Sequence, residues 1–306
     1  MTRRPRRSLV KLLRTVVESW SGDEAPRMAA ALAYYTTFSV GPLLLISIAV
    51  AGIVFDPESA RREILNQLTG LVGPQGAEIV ATVVENASRS KGGSIFGTIL
   101  GAVVLLFGAS GVFGELQTSL NKIWSVERKK GRGVLGWLKD RFLSFTMVLG
   151  IAFVLLVSLV VSAALQALGG VVQGWFGDVF VMKALYALVS FGVLTGLFAL
   201  IFKGVPDART RWSDVWLGAA ITAALFTAGK VLIGLYLGKS GVSGKYGAAG
   251  SLVVFLVWIY YSAQILFLGA EFTRVWAEVR GHGVAPDPDA ARVRRKTETV
   301  GSSGGR

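Results

Sequence analysis

The stretch from Lys245 to Thr273 reads KYGAAGSLVVFLVWIYYSAQILFLGAEFT, with no charged residue between Lys245 and Glu271. A helix needs about 20 apolar residues to cross the hydrocarbon core of a bilayer, and this run supplies them. We place a membrane span at 247–270. Five further runs precede it in the chain, each bounded by charge. Arg27 and Asp56 bracket a span at 31–54, and Lys91 and Glu115 bracket one at 92–114. The uncharged stretch between Arg141 and Asp178 is too long for one straight helix, so a span at 143–165 is followed by a short loop. Spans at 181–202 and 215–237 follow, the latter containing Lys230.

Composition agrees with these spans. The chain has 306 residues, 52% hydrophobic and only 17% charged. A soluble domain carries about 25% charged residues to cover its surface. The expected fold is all-α and polytopic, with six transmembrane helices. There is no cysteine and one histidine, His282. Disulfides, thiolate chemistry and Cys/His zinc sites are therefore excluded, and a catalytic triad would have only His282 to draw on. We expect no metal, no cofactor and no enzymatic activity.

Lysine and arginine counts set the orientation. Segments 1–28, 115–141, 203–214 and 271–306 together hold 24 of them, and the alternate segments hold six. Both termini are expected in the cytoplasm. The net charge of +13 then reads as a topology signal and an attraction to anionic lipid headgroups at the cytoplasmic face, with no nucleic-acid partner.

Three regions follow from this pattern. Residues 1–28 form a basic cytoplasmic segment whose Leu9, Leu12, Leu13, Val16, Val17 and Trp20 share one face of an interfacial helix. Residues 29–280 form the membrane domain. Residues 281–306, rich in Pro, Asp, Gly and Ser, are expected to be a disordered cytoplasmic tail. Between spans one and two, Asp56-Pro57 is a helix start and the apolar spacing of 64–72 and 79–87 predicts two amphipathic external helices over the outer mouth, a packed cover or a lid, with the cover preferred. The segment Gly238–Gly247 is expected to be a flexible external loop. It lacks the spacing of a phosphate-binding loop, so no NTPase reading follows.

Polar residues inside apolar spans are the candidates for function. Gly41-Pro42 should kink span one and free a carbonyl beside Tyr34, Tyr35, Thr36, Thr37 and Ser39. Such a polar-lined kink can build a substrate site, or it can be purely structural. Gly93, Gly97 and Gly101 in span two recur every fourth residue, a face for close helix packing. Lys230 is the sharpest anomaly. A charged lysine at a helix centre costs roughly 2.5–3.5 kcal/mol, so it either snorkels to the outer interface or faces a polar cavity. Lys183 reads as an anchor, and Gln264 as a hydrogen-bonding residue between helices. The candidate substrate-binding set is Lys230, Tyr34, Tyr35, Thr37 and Gln264.

Three stretches carry a family resemblance: Ala29–Leu45 (AAALAYYTTFSVGPLLL), Gly111–Trp124 (GVFGELQTSLNKIW) and Tyr246–Thr273. With Gly229-Lys230 through Tyr236, they make the chain resemble the YihY/BrkB family of bacterial inner-membrane proteins across about residues 8–280. That resemblance implies six helices in the inner membrane. It brings no settled activity, since members have been labelled ribonuclease BN, serum-resistance factor and transporter. The ribonuclease label conflicts with a chain that has a single histidine. Two readings compete: a transporter or flippase of an amphipathic or anionic envelope molecule, and a non-transporting membrane protein of envelope assembly or partner binding. A connected polar space lined by Lys230, Tyr34, Tyr35 and Gln264 would favour transport.

Overall fold

The computed structural model describes residues 9–37, 39, 56, 58, 59, 62, 65, 81, 111–129, 179–240, 242–281 and 283–293. The described chain is mostly helical. Helix α1 spans Leu9–Gly22, and residues 25–37 and 111–123 are helical. Three long helices follow: α2 (Val179–Gly204), α3 (Trp212–Ser240) and α4 (Val242–Val279). Four short strands complete the elements: β1 (Val126–Arg128), β2 (Ala208–Arg209), β3 (Ala285–Pro286) and β4 (Ala290–Arg292). Spans 92–114 and 143–165 lie largely or wholly outside the described residues, as do Gly41, Pro42, Gly93, Gly97, Gly101 and most of 56–91.

Among the described residues, three helices are long and apolar enough to cross a membrane, with apolar windows at Ala187–Gly204, Trp212–Ile233 and Val253–Val279. They coincide with the spans expected at 181–202, 215–237 and 247–270, but each helix runs past its expected ends. The 38 residues of α4 amount to about 57 Å of helix, far beyond the hydrocarbon thickness. The loop expected at Gly238–Gly247 is a correction. Apart from residue 241 that segment is helical, split between α3 and α4. At a membrane boundary every backbone group left unpaired is costly, so even a glycine-rich run gains by keeping its helical bonds.

Two strand pairs gather at one end of the helices. Antiparallel β1–β4 joins Val126 to Arg292, and β2–β3 joins Ala208 to Pro286. Residues 285–292, expected to lie in a disordered tail, are therefore paired. Two features hold them there: Lys129 N donates to Asp289 O at 3.2 Å, and Arg209 pairs with Asp287 at 3.0 Å. Residues 294–306 and His282 lie outside the described residues.

The main core sits near this end. Ala25, Met28, Ala29 and Leu32 meet Leu120, Ile123 and Trp124, Phe198 and Phe202 of α2, Val215 and Ala219 of α3, and Phe267 and Ala270 of α4. The polar residues of the 111–123 helix have partners. Gln117 Nε2 donates to Val205 O at 3.0 Å. Asn121 grips Asp207 from both sides, donating to its carboxylate at 2.7 Å and accepting from its backbone N–H at 2.8 Å. Arg128 adds a two-pronged bond to the same carboxylate, at 2.7 and 3.2 Å. Asp207 thus ties β1, the 111–123 helix and the α2–α3 turn together. At the other described sequence expectation, Asp56 caps a helix start. Its carboxylate accepts from the backbone N–H and hydroxyl of Ser59, both at 3.0 Å, and these bonds hold its carboxyl below the usual range.

Candidate functional site

Helices α3 and α4 approach closely because glycines and threonines interlock along their seam. A methyl group on Gly218 would meet Thr273 Oγ1 at 1.8 Å, and one on Gly269 would meet Thr222 Oγ1 at 1.8 Å. Each threonine hydroxyl donates back into its own helix, Thr222 to Gly218 O and Thr273 to Gly269 O, both at 2.7 Å. The two sides are thus reciprocal: a glycine and a threonine four residues apart on α3 face the same pair on α4. Satisfied hydroxyls and missing side chains let two backbones meet without stranding a polar group.

Further along the seam, Gly229 performs the same service for an aromatic ring. A methyl there would meet Tyr261 Cε1 at 2.7 Å and the Tyr261 hydroxyl at 2.8 Å. Next to it, Lys230 lines a shallow open cleft with Phe226 and Ile233 of α3 and Trp258, Tyr261, Ser262 and Ile265 of α4. The cleft is too narrow for a water molecule. Phe226 and Trp258 close its floor edge-to-face, with ring centroids 5.9 Å apart. One cation, a phenol and a serine hydroxyl therefore share a wall with apolar and aromatic groups.

The other expected site residues do not line this cleft. Tyr34 is 60% exposed and packs edge-on against Tyr35 at 5.7 Å. The Tyr35 ring lies against Gly111, where a methyl would meet it at 2.8 Å. Thr36 and Thr37 spend their hydroxyls on the carbonyls of Leu32 and Ala33, four residues back, at 2.7 and 2.8 Å. Gln264 was expected to bond between helices, yet its buried Oε1 receives no hydrogen bond. Tyr261 and Ser262, absent from the expected set, are the polar companions of Lys230. Spacing along the chain did not single them out, because the approach of Tyr261 and Ile265 to Gly229 exists only once α3 and α4 are packed.

A second polar centre escaped the sequence reading. Where α1 docks on α4, Leu12 and Val16 pack with Val275, flanked by Leu268, Phe272, Trp276 and Val279. Beneath this apolar seam lies Glu271, its side chain wholly buried. Arg274 donates to Glu271 Oε2 at 2.9 and 3.1 Å, to Glu278 Oε1 at 2.8 Å and to Ser19 Oγ at 2.9 Å. Asp23, itself buried, lies one turn beyond the Ser19 that Arg274 holds, its N–H donating to Ser19 O at 2.8 Å, and its carboxyl faces Glu271. Its position is set by an abrupt turn after α1, in which Glu24 takes φ 58°. A non-glycine residue in that region is strained by about 1–2 kcal/mol. Ion pairs from Glu24 to Lys122 at 3.1 Å and Arg27 at 3.0 Å hold it there, and they keep the Glu24 carboxyl below its usual range. On the far side Arg280 lies 3.7 Å from the buried Asp214 and over the Trp276 ring.

The profile of the family described as Virulence factor BrkB matches residues 16–294. Among curated relatives, a UPF0761 membrane protein of Pseudomonas aeruginosa is 28% identical over 271 residues, covering 85% of this chain and 61% of the relative. A UPF0761 membrane protein of Tolumonas auensis is 28% identical over 267 residues, covering 84% of this chain and 82% of the relative. The chain thus spans about three-fifths of the length of the Pseudomonas relatives. No solved structure matches it.

Proposed function

The chain belongs to the virulence factor BrkB family of membrane proteins, and from that premise we propose that it moves an amphipathic, anionic envelope molecule across the inner membrane as a transporter or flippase. The reading includes six spans with both termini cytoplasmic. The observation that carries it is the Lys230 cleft. A cation with two hydroxyls beside it suits an anionic headgroup, and the flanking Phe226, Trp258 and Ile265 suit an acyl chain. The open side of the cleft lets a lipid-like molecule enter from the bilayer. The cleft is too narrow for a headgroup as it stands, so the α3–α4 seam must part to admit one.

Lys230→Met tests this reading. It keeps the length and apolar contacts of the side chain and removes the charge. Wild-type protein reconstituted in liposomes should move a fluorescent phosphatidylglycerol analogue between leaflets faster than protein-free liposomes. Lys230→Met should lose most of that rate, and Lys230→Arg should keep part of it. Equal rates for wild type and Lys230→Met, with the variant folded and inserted, would return Lys230 to the status of a snorkelling anchor and favour a non-transporting assembly protein.

A further inference from the structure

Glu271 is an acid in an unusual setting. Its side chain is 0% exposed, and one oxygen, Oε2, takes both bonds offered by Arg274. Two further N–H groups of Arg274 go to Glu278 and Ser19. The other oxygen, Oε1, is buried and receives no hydrogen bond from any N–H or O–H group. What faces Glu271 from the α1 side is another carboxyl, that of Asp23. Two ionised carboxylates in a buried contact repel, and neither can donate a hydrogen bond. The contact becomes favourable when one of them carries a proton. Arg274 already supplies the positive charge that a bound metal cation would bring, so a proton is the ligand that fits.

We infer that Asp23 and Glu271 form a proton-binding site in which the two carboxyls share one exchangeable proton. In the loaded form the acid O–H of one carboxyl donates to the carboxylate of the other. In the empty form that O–H bond breaks, the proton leaves to bulk water, and two carboxylates face each other. The charged groups around the pair are Arg274 and Glu278 on α4, Asp214 on α3 with Arg280, and Glu24 with Lys122 and Arg27 on the solvent side of Asp23. Glu24, next to Asp23 in the chain, is exposed and marks the side on which the pair is nearest to water. Loss of the proton sets α1 against α4 across the seam built by Leu12, Val16 and Val275. Occupancy of the site therefore controls how firmly the first helix is docked. Its use as the coupling site of a transport cycle rests on the function proposed above.

Infrared difference spectra of the full-length protein in lipid, recorded across a pH titration, read the site directly. Wild type should show one protonated-carboxyl carbonyl band that disappears as pH rises. Asp23→Asn and Glu271→Gln should each remove that band, and the exposed Glu18→Gln should leave it intact. Glu271→Gln alters a fully buried residue, so Asp23→Asn decides the matter if that variant fails to fold. A wild-type spectrum without the band, or a band untouched by Asp23→Asn, overturns the site. The phosphatidylglycerol assay separates the two ideas. If wild type moves the probe, Asp23→Asn should slow it at least tenfold and flatten its pH dependence; an unchanged rate and profile overturns coupling and leaves transport standing. If wild type moves no probe, the transport reading and the coupling fall together, and the infrared band alone decides the proton site.

Discussion

Replacing Gly218 with alanine should unlock the α3–α4 seam. The new methyl would stand 1.8 Å from Thr273 Oγ1, where ordinary contacts begin at 3.4 Å. Rotating Thr273 away moves the hydroxyl and breaks its bond to Gly269 O. Rotation leaves Thr273 Cβ at 2.8 Å and Cα at 3.3 Å, both fixed to the backbone. The helices themselves must part. Overpacking of this kind costs about 1–3 kcal/mol, and separation here also disturbs the reciprocal contact of Gly269 with Thr222. We expect Gly218→Ala to lower stability by the upper part of that range, set against a gain of up to about 1 kcal/mol from alanine's helix propensity. Thr273→Gly should itself destabilise, because it removes packing and introduces helical glycine. In the double variant the methyl has changed sides and the clash is gone. Its stability should therefore exceed the sum of the single effects by about 1–3 kcal/mol. Unfolding by dodecyl sulfate in mixed micelles, followed by circular dichroism and tryptophan fluorescence, measures all four proteins. Wild-type stability in Gly218→Ala, or simple additivity in the double variant, would refute the interlocked seam.

Four further outcomes follow from the same structure. In this cysteine-free chain, Ser88→Cys and Ser243→Cys should react with an impermeant maleimide in intact cells, and Ser125→Cys should not; outside labelling of Ser125→Cys would reverse the proposed orientation. Arg274→Gln strands Glu271 as a buried charge without its cation and should cost about 3–5 kcal/mol in the same unfolding assay, with Arg274→Lys intermediate because one ammonium cannot reach Glu271, Glu278 and Ser19 together. Asp207→Ala removes the acceptor shared by Arg128 and Asn121 and should cost about 1–3 kcal/mol, seen as faster proteolysis around 126–129. Purified protein should not cleave transfer-RNA precursors with zinc, magnesium or manganese; cleavage that follows the protein through two orthogonal purification steps would contradict the non-enzymatic reading.

The amino-acid sequence determined where the chain meets lipid. Hydrocarbon excludes charge over a fixed thickness, so long uncharged runs are a one-dimensional signal, and the runs at 181–202, 215–237 and 247–270 coincide with α2, α3 and α4. It also grouped 1–28, 115–141, 203–214 and 271–306 by their basic residues, and those segments meet at one end through Lys122 with Glu24, Arg128 with Asp207, Arg209 with Asp287 and Arg274 with Ser19. Partners were a different matter. Strands of two or three residues carry no readable period, so pairing of the tail at 285–292 was hidden. Gly218 and Thr273 look like ordinary small residues until two helices bring them face to face. Glu271 reads as the charged end of a span, and Asp23 as one acid in a turn. Only docking of α1 on α4, across 255 residues between Ser19 and Arg274, turns them into a buried pair. Burial and carboxyl-to-carboxyl contact are properties of the space between distant segments, and local spacing along the chain holds no record of them.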